Sequence, residues 1–107
     1  MLLHIKDRIY FPNILPQTGT FMEFNLKKSI MGKVAITEKD KEHFNIVTDQ
    51  ERGAITWDSE KDLAEPLEVS FTAEELDFLK KSCENLAEKE NTDDFWMVVE
   101  KIYNSLV

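Results

Sequence analysis

Two secondary-structure patterns meet in residues 67–75, Leu-Glu-Val-Ser-Phe-Thr-Ala-Glu-Glu. Apolar and polar side chains alternate from Leu67 to Phe71, which is typical of a strand with one buried face. Thr72 and Glu75 then have the spacing of a capping box, in which two side chains satisfy the free backbone N–H groups at a helix start. We therefore predict a strand over residues 67–71 and a helix from residue 73 to about residue 89.

The chain is predicted to end in a helical hairpin. A second helix begins after Thr92, where two aspartates suit the positive end of the helix dipole. Each helix has an apolar stripe at helical spacing, and Trp96 and Tyr103 widen the second stripe, whereas Phe78 lies off the first. These aromatic residues are our candidates for an exposed interface, since aromatic side chains often anchor protein contacts. The alternative, that the sheet covers them, stays open. The candidates are Phe78, Trp96 and Tyr103.

The N-terminal half contributes further elements. A capping box at Thr20 and Glu23 starts a helix predicted to reach Met31, with Gly32 as its stop. Its apolar residues spread around the axis, so we expect it to be largely buried, either inside the fold or against a partner. Thr37 starts a short helix to about residue 43.

Residues 45–58 are predicted to form a β-hairpin in which Gly53 supplies a positive φ near the tip. The charged connector 58–66 is predicted to be a mobile loop. These elements predict an α+β fold of one domain, residues 1–107: a small antiparallel sheet, made of the 45–58 hairpin and the 67–71 strand, packs against helices.

Charge is distributed unevenly along this acidic chain, whose net charge is −8. Residues 1–36 carry five basic and two acidic side chains, whereas residues 37–107 carry eight basic and nineteen acidic ones. Most of the surface should repel a phosphate backbone, so we expect no direct nucleic-acid binding. Solvated helix faces are the simplest explanation of the acidic part, and a surface that docks on a basic partner is the alternative.

No group of side chains has the pattern of a catalytic or cofactor site. The chain has two histidines, His4 and His43, and one cysteine, Cys83, which lies in a helical core stripe. Zinc needs three or four converging ligands, and the three glycines are too far apart to form a phosphate loop. Residues 49–53 resemble the start of a calcium loop but fit a hairpin turn better. We therefore expect no metal, no cofactor and no enzymatic activity.

Residues 13–21 read Asn-Ile-Leu-Pro-Gln-Thr-Gly-Thr-Phe. This stretch resembles the N-I/L-L-P-x-x-G-x-F start of a family of small uncharacterised bacteriophage and prophage proteins. The helix opening at residues 37–40 and the hairpin end at residues 55–58 are similar too. The resemblance implies a phage origin and an accessory role, and it favours a helix over residues 6–14. Pro12 departs from the family pattern, which leaves that helix short or kinked.

The leading functional hypothesis is a non-enzymatic protein-interaction module of phage or prophage type that forms a homo-oligomer. The alternative is an acidic decoy that binds a host protein which handles nucleic acid. A single cysteine excludes an internal disulfide and favours a reducing compartment. The start of the chain lacks the pattern of a signal peptide, and no apolar run is long enough to cross a bilayer. We expect a cytoplasmic protein without membrane contact.

Overall fold

The computed structural model describes residues 1–106, and this part of the chain contains six helices and four short strands. In chain order they are β1 (Leu2–Leu3), α1 (Ile5–Ile14), α2 (Phe21–Val34), α3 (Glu38–His43), β2 (Val47–Asp49), β3 (Ala54–Thr56), α4 (Ser59–Ala64), β4 (Leu67–Glu68), α5 (Ala73–Asn85) and α6 (Asp93–Asn104). The predicted α+β class and the C-terminal helical hairpin, α5 and α6, are confirmed.

Threonine residues fix where four of the helices begin. The hydroxyl oxygens of Thr20, Thr37, Thr72 and Thr92 each accept a hydrogen bond from the backbone N–H group three residues later. At the first three, an acidic side chain returns a bond to the threonine N–H group and completes the capping box. The predicted helix starts are therefore confirmed, because they depend on local chemistry alone.

The helix ends differ more from the prediction. Gly32 lies inside α2, which continues to Val34, so its assignment as the stop was wrong. Arg8 explains the longer helix, because its guanidinium group binds the carbonyl oxygens of Val34 and Ala35 at the C-terminal end of α2. Helix α1 runs through Pro12 to Ile14, as the resemblance favoured, and the Pro12 ring lies on the exposed side.

The predicted single sheet is two separate antiparallel pairs. Strand β2 pairs with β3 as the expected hairpin, whereas β4 pairs with β1 at the N-terminus. Val69 and Met1 extend this second pair, with the Val69 N–H group donating to the Met1 carbonyl oxygen at 2.9 Å. Strand β4 reaches β1 because Leu3 and Val69 are both buried in the core. Alternation along residues 67–71 indicated a strand but could not identify its partner.

The connector 58–66 also differs from the prediction, because it forms α4 rather than a mobile loop. The Asp58 carboxylate caps this helix by accepting from the Lys61 N–H group at 3.2 Å. Asp62 is buried and accepts a hydrogen bond from the Ile5 N–H group at 2.9 Å, at the first turn of α1. A charged segment is therefore ordered by two carboxylates that each cap a helix.

The core lies between α1, α2, α5, α6 and the β1–β4 pair. It contains Cys83 from the predicted stripe of α5, its neighbour Leu79, and the apolar stripe of α6. Its members are Leu3, Phe11, Ile14, Leu15, Ile30, Val34, Val69, Phe78, Leu79, Cys83, Leu86, Phe95, Val98, Val99 and Ile102. The β2–β3 hairpin contributes no residue to this cluster.

Candidate functional site

Phe78, one of the three predicted interface residues, belongs to the core. Its side chain is 7% exposed. Helix α5 packs against α2 on one side and against α6 on the other, so its buried arc is wider than the single stripe that the spacing predicted. The interpretation of Phe78 as an exposed anchor was wrong for this reason.

Trp96 and Tyr103, the other two candidates, line one open groove between α5 and α6. Both side chains are half-buried, and the groove has a volume of about 520 Å³. Ala87, two residues after the end of α5, and Val99 of α6 add further apolar side chains to the wall of the groove. The two aromatic residues lie seven positions apart, two turns of one helix, so they line the same side of the groove. Their role in association stays a prediction.

Two carboxylates border this α5–α6 groove. Glu84 comes from α5 and Glu100 from α6, both are exposed, and the lining contains no basic residue. The Cys83 thiol forms part of the groove wall, but its side chain is buried, and burial raises its pKa to about 11. The thiol therefore stays protonated at neutral pH and is a poor nucleophile. The groove has an apolar wall and a negative border.

A second apolar surface, which sequence reasoning missed, lies on the first turn of α2. Phe21, Met22 and Phe24 are 76%, 71% and 53% exposed. The rings of Phe21 and Phe24 stack on each other, with centroids 6.5 Å apart and planes 17° from parallel. We call these three residues, together with the exposed Lys28 one turn after Phe24, the α2 patch. Exposed apolar clusters of this kind often mark interaction sites.

The sequence contained a signal for this patch. Apolar residues spread around the α2 axis instead of forming one stripe, and we predicted that the helix is largely buried. Against the described residues only Ile30 and Val34 of α2 are fully buried, and Leu26 and Met31 pack partly on the core. The aromatic residues of the first turn lie away from Ile30 and Val34, so the expected burial inside the fold was wrong. Its alternative, burial against a partner, stays a prediction.

Each histidine side chain lies within hydrogen-bond distance of a neighbouring acidic residue. The His43 Nε2 atom lies 2.8 Å from the Glu65 carboxylate at the surface, and the His4 Nδ1 atom lies 3.1 Å from the carbonyl oxygen of Asp62. Within residues 1–106, no group of three histidine, cysteine, aspartate or glutamate side chains could hold a metal ion. Asp49 accepts from the Glu51 and Arg52 N–H groups, so its carboxylate supports the hairpin turn.

The buried Glu75 carboxylate has three kinds of donor around it. Burial by itself raises its pKa, but hydrogen bonds from Lys33, from the Thr72 N–H group and from Ser29 outweigh burial and lower the pKa to about 2. The Lys33 ammonium also lies 5.6 Å from the centre of the Phe71 ring. This cluster joins α2 to the start of α5, because Lys33 and Ser29 of α2 both bind the Glu75 carboxylate of α5.

A comparable cluster at the surface joins α1 to α6. The Tyr10 hydroxyl donates to the Asp94 carboxylate at 2.7 Å, and the Lys6 ammonium pairs with the same carboxylate. These two donors lower the pKa of Asp94. The hairpin covers one side of this cluster, where Ile55 and Trp57 line a shallow cavity with Tyr10. The Tyr10 phenol and the Lys6 ammonium thus both bind the Asp94 carboxylate and tie α1 to α6.

A more enclosed cavity of about 510 Å³ lies between the α1–α2 connection and the end of α5. The Ser82 hydroxyl at its wall donates to the carbonyl oxygen of Phe78 at 2.8 Å and is therefore occupied. No titratable pair converges in this cavity, whose lining residues are Pro12, Asn13, Ile14, Leu15, Pro16, Gln17, Thr18, Ser82, Asn85, Leu86 and Lys89.

Comparison with known proteins gives no relative: no family model, no curated protein and no solved structure matches this chain. Among the helices of the described residues, none is long and apolar enough to span a bilayer. The two apolar surfaces, the α5–α6 groove and the α2 patch, are therefore the features on which a function can be argued.

Proposed function

We propose that this chain is a non-enzymatic protein-interaction module that self-associates. The observation that carries the proposal is the α2 patch, in which two stacked phenylalanine rings are exposed on the first turn of a capped helix. Burying such rings in a contact is favourable, because apolar area contributes about 25 cal/mol per Å² removed from water. Phenylalanine rings on one helix also lose little conformational freedom on binding. The half-buried Trp96 and Tyr103 of the α5–α6 groove support the same role.

The N-terminal motif supports an accessory role in a phage or prophage as part of this proposal. The buried thiol of Cys83, the one cysteine of the chain, supports a reducing, cytoplasmic setting. The genomic neighbourhood of the gene tests the first point. Morphogenesis genes beside it would favour an assembly accessory, and early regulatory genes would favour a host-directed role.

Solution mass by light scattering on a sizing column tests self-association directly. We expect the wild-type protein to exceed its monomer mass of 12.5 kDa at low and at high salt. The variant Phe24→Glu should return to the monomer mass, because a carboxylate in the patch must be desolvated for contact. The variant Phe78→Glu is unsuitable, since it would place a charge in the core and unfold the chain.

The matched control is Leu63→Glu. Leu63 lies on α4 and is 72% exposed, so the same substitution adds the same charge outside both surfaces. This variant should keep the wild-type mass, and circular dichroism should report unchanged helix content for both variants. A wild-type protein that remains monomeric at all concentrations would overturn the proposal.

A further inference from the structure

The α2 patch and the α5–α6 groove have opposite charge. Lys28 gives the patch a positive charge on the exposed side of α2. The preceding residue, Lys27, lies beside it and donates to the Pro16 carbonyl oxygen at 2.9 Å. The border of the groove carries Glu84 and Glu100. Among the described residues, none of Lys28, Glu84 and Glu100 takes part in a salt bridge, so each charge is available to a partner.

Glu23, the acidic residue of α2, directs its carboxylate to the start of the helix. Glu23 accepts a hydrogen bond from the Thr20 N–H group at 2.9 Å as part of the capping box, and this bond lowers its pKa. Glu23 is also less exposed than its neighbours Met22 and Phe24. The outward side of α2 therefore presents apolar rings followed by a positive charge.

The two surfaces also differ in shape. The patch projects from the first turn of a helix, whereas the groove is a depression of about 520 Å³ with Trp96 and Tyr103 along one side. A volume of this size accommodates several rings, since ligand sites of drug-sized molecules cover about 300–1,000 Å³. Aromatic residues on both surfaces are the residue types that anchor protein interfaces.

From these features we propose that the chain associates head to tail, with the α2 patch of one copy seated in the α5–α6 groove of the next. Phe21 and Phe24 pack against Trp96 and Tyr103, and Lys28 faces the groove carboxylates. This inference rests on the proposed self-association and names its geometry. A contact between two different surfaces leaves one patch and one groove free in each pair, so the assembly continues into a ring or an open chain.

Charge disfavours the two symmetric alternatives. A patch-to-patch dimer related by a two-fold axis brings Lys28 of both copies to one interface. A groove-to-groove dimer does the same for Glu84 and Glu100. Like charges across an interface cost several kcal/mol, whereas the head-to-tail contact sets opposite charges against each other. Charge complementarity therefore favours the head-to-tail contact, with a second copy of this chain in the groove.

Mixing two deficient variants tests the head-to-tail contact. Phe24→Glu removes the patch and leaves the groove intact, whereas the double variant Glu84→Lys with Glu100→Lys removes the groove and leaves the patch intact. All three side chains are exposed, so the fold should be kept. We expect each variant alone to be monomeric. Their equimolar mixture should form a 1:1 pair of twice the monomer mass, through the one patch and the one groove that remain.

A charge exchange within one chain provides a second measurement. Lys28→Glu should weaken association at least tenfold, and combining it with the two lysine substitutions in the groove should restore most of that loss, because the opposite charges then meet with their places exchanged. Restoration by the triple variant would support the contact even if the mixed pair is too weak to isolate.

The outcomes separate this inference from the proposed function. If the wild-type protein associates but the two variants do not pair and the triple variant is not restored, the head-to-tail contact is overturned and self-association stands. The same holds if the groove variant alone keeps the wild-type mass. If the wild-type protein is a monomer at every concentration, self-association itself is overturned, and the head-to-tail contact with it.

Discussion

The guanidinium group of Arg8 lies 2.7 Å from the carboxylate of Asp40 and donates to the carbonyl oxygen of Ala35 at the same distance. Its Nε atom donates to the carbonyl oxygen of Val34 at 2.9 Å. These carbonyl groups lie at the end of α2, where the helix itself offers no donor. One buried side chain of α1 therefore holds the end of α2 and the start of α3.

Replacing Arg8 with methionine should lower the free energy of unfolding by about 2–4 kcal/mol. Methionine fills much of the same space but leaves two carbonyl oxygens without this donor and removes the cationic partner of Asp40, which keeps its bonds from Thr37. Urea denaturation followed by circular dichroism measures the change. Arg52→Met is the control, because Arg52 is exposed on the hairpin and should cost less than about 0.5 kcal/mol. Equal losses in the two variants would contradict the role given to Arg8.

The Glu75 carboxylate should make stability depend on pH in the acid range. Because its pKa falls from 4.5 to about 2 on folding, the ionised form stabilises the protein fully above about pH 4.5. That contribution is lost as the pH falls from about 4.5 towards 2. Glu75→Gln should lower the free energy of unfolding at pH 7 by about 2–3 kcal/mol and flatten its pH dependence over this range.

Thermal unfolding between pH 2 and pH 7 measures both effects. Glu74→Gln is the matched control, since Glu74 is the exposed neighbour in the same helical turn and loses the same charge. Its curve should follow the wild-type pH dependence, with a loss of less than about 0.5 kcal/mol. A Glu75→Gln curve parallel to that of the wild type would show that another group titrates.

Two glycine-to-alanine substitutions should change stability in opposite directions. Gly53 has a φ of +64°, where an alanine costs about 1 kcal/mol, so Gly53→Ala should destabilise the protein. Gly32 lies inside α2, and a Cβ atom added there meets no other described atom within 4 Å. Gly32→Ala should therefore stabilise the protein by about 0.5–1 kcal/mol, because alanine has the higher helix propensity.

Urea denaturation of both glycine variants and of the wild-type protein measures these two changes in stability. A lower stability of Gly32→Ala would contradict the prediction. It would mean that the exposed side of α2 at Gly32 contacts another molecule, such as a second copy in an assembly. No change at Gly53 would mean that the hairpin tip relaxes to another turn.

Local chemistry explains which parts of the fold could be predicted from the sequence. The capping threonines, the hairpin with Gly53 at its tip and the α6 stripe each depend on residues a few positions apart, and these predictions were confirmed. The length of α2 depends on Arg8, which comes thirteen positions before its first residue. The order of α4 depends on a contact between Asp62 and α1. Spacing along the chain contains no information on either contact.

For the candidate surfaces, too, the sequence predicted what depends on one helix and missed what depends on contacts between helices. The sequence identified Trp96 and Tyr103 because they widen a stripe on one helix. It misassigned Phe78, because α5 packs against α2 as well as against α6, and the spacing along α5 does not show the second contact. It also missed Phe21 and Phe24 as an exposed pair, because apolar residues all round a helix indicate burial without saying what covers each side.

The pairing of β1 with β4 has a consequence for the order in which the chain folds. These strands are two residues each, yet they join Leu3 to Leu67 and so close a loop that contains four of the six described helices and the hairpin. Contacts over such a separation are entropically costly to form first, whereas α5 and α6 are neighbours in the chain. We expect the helical hairpin to form early in refolding and the β1–β4 pair late. On the ribosome, Leu3 must wait for the second half of the chain before it can be buried.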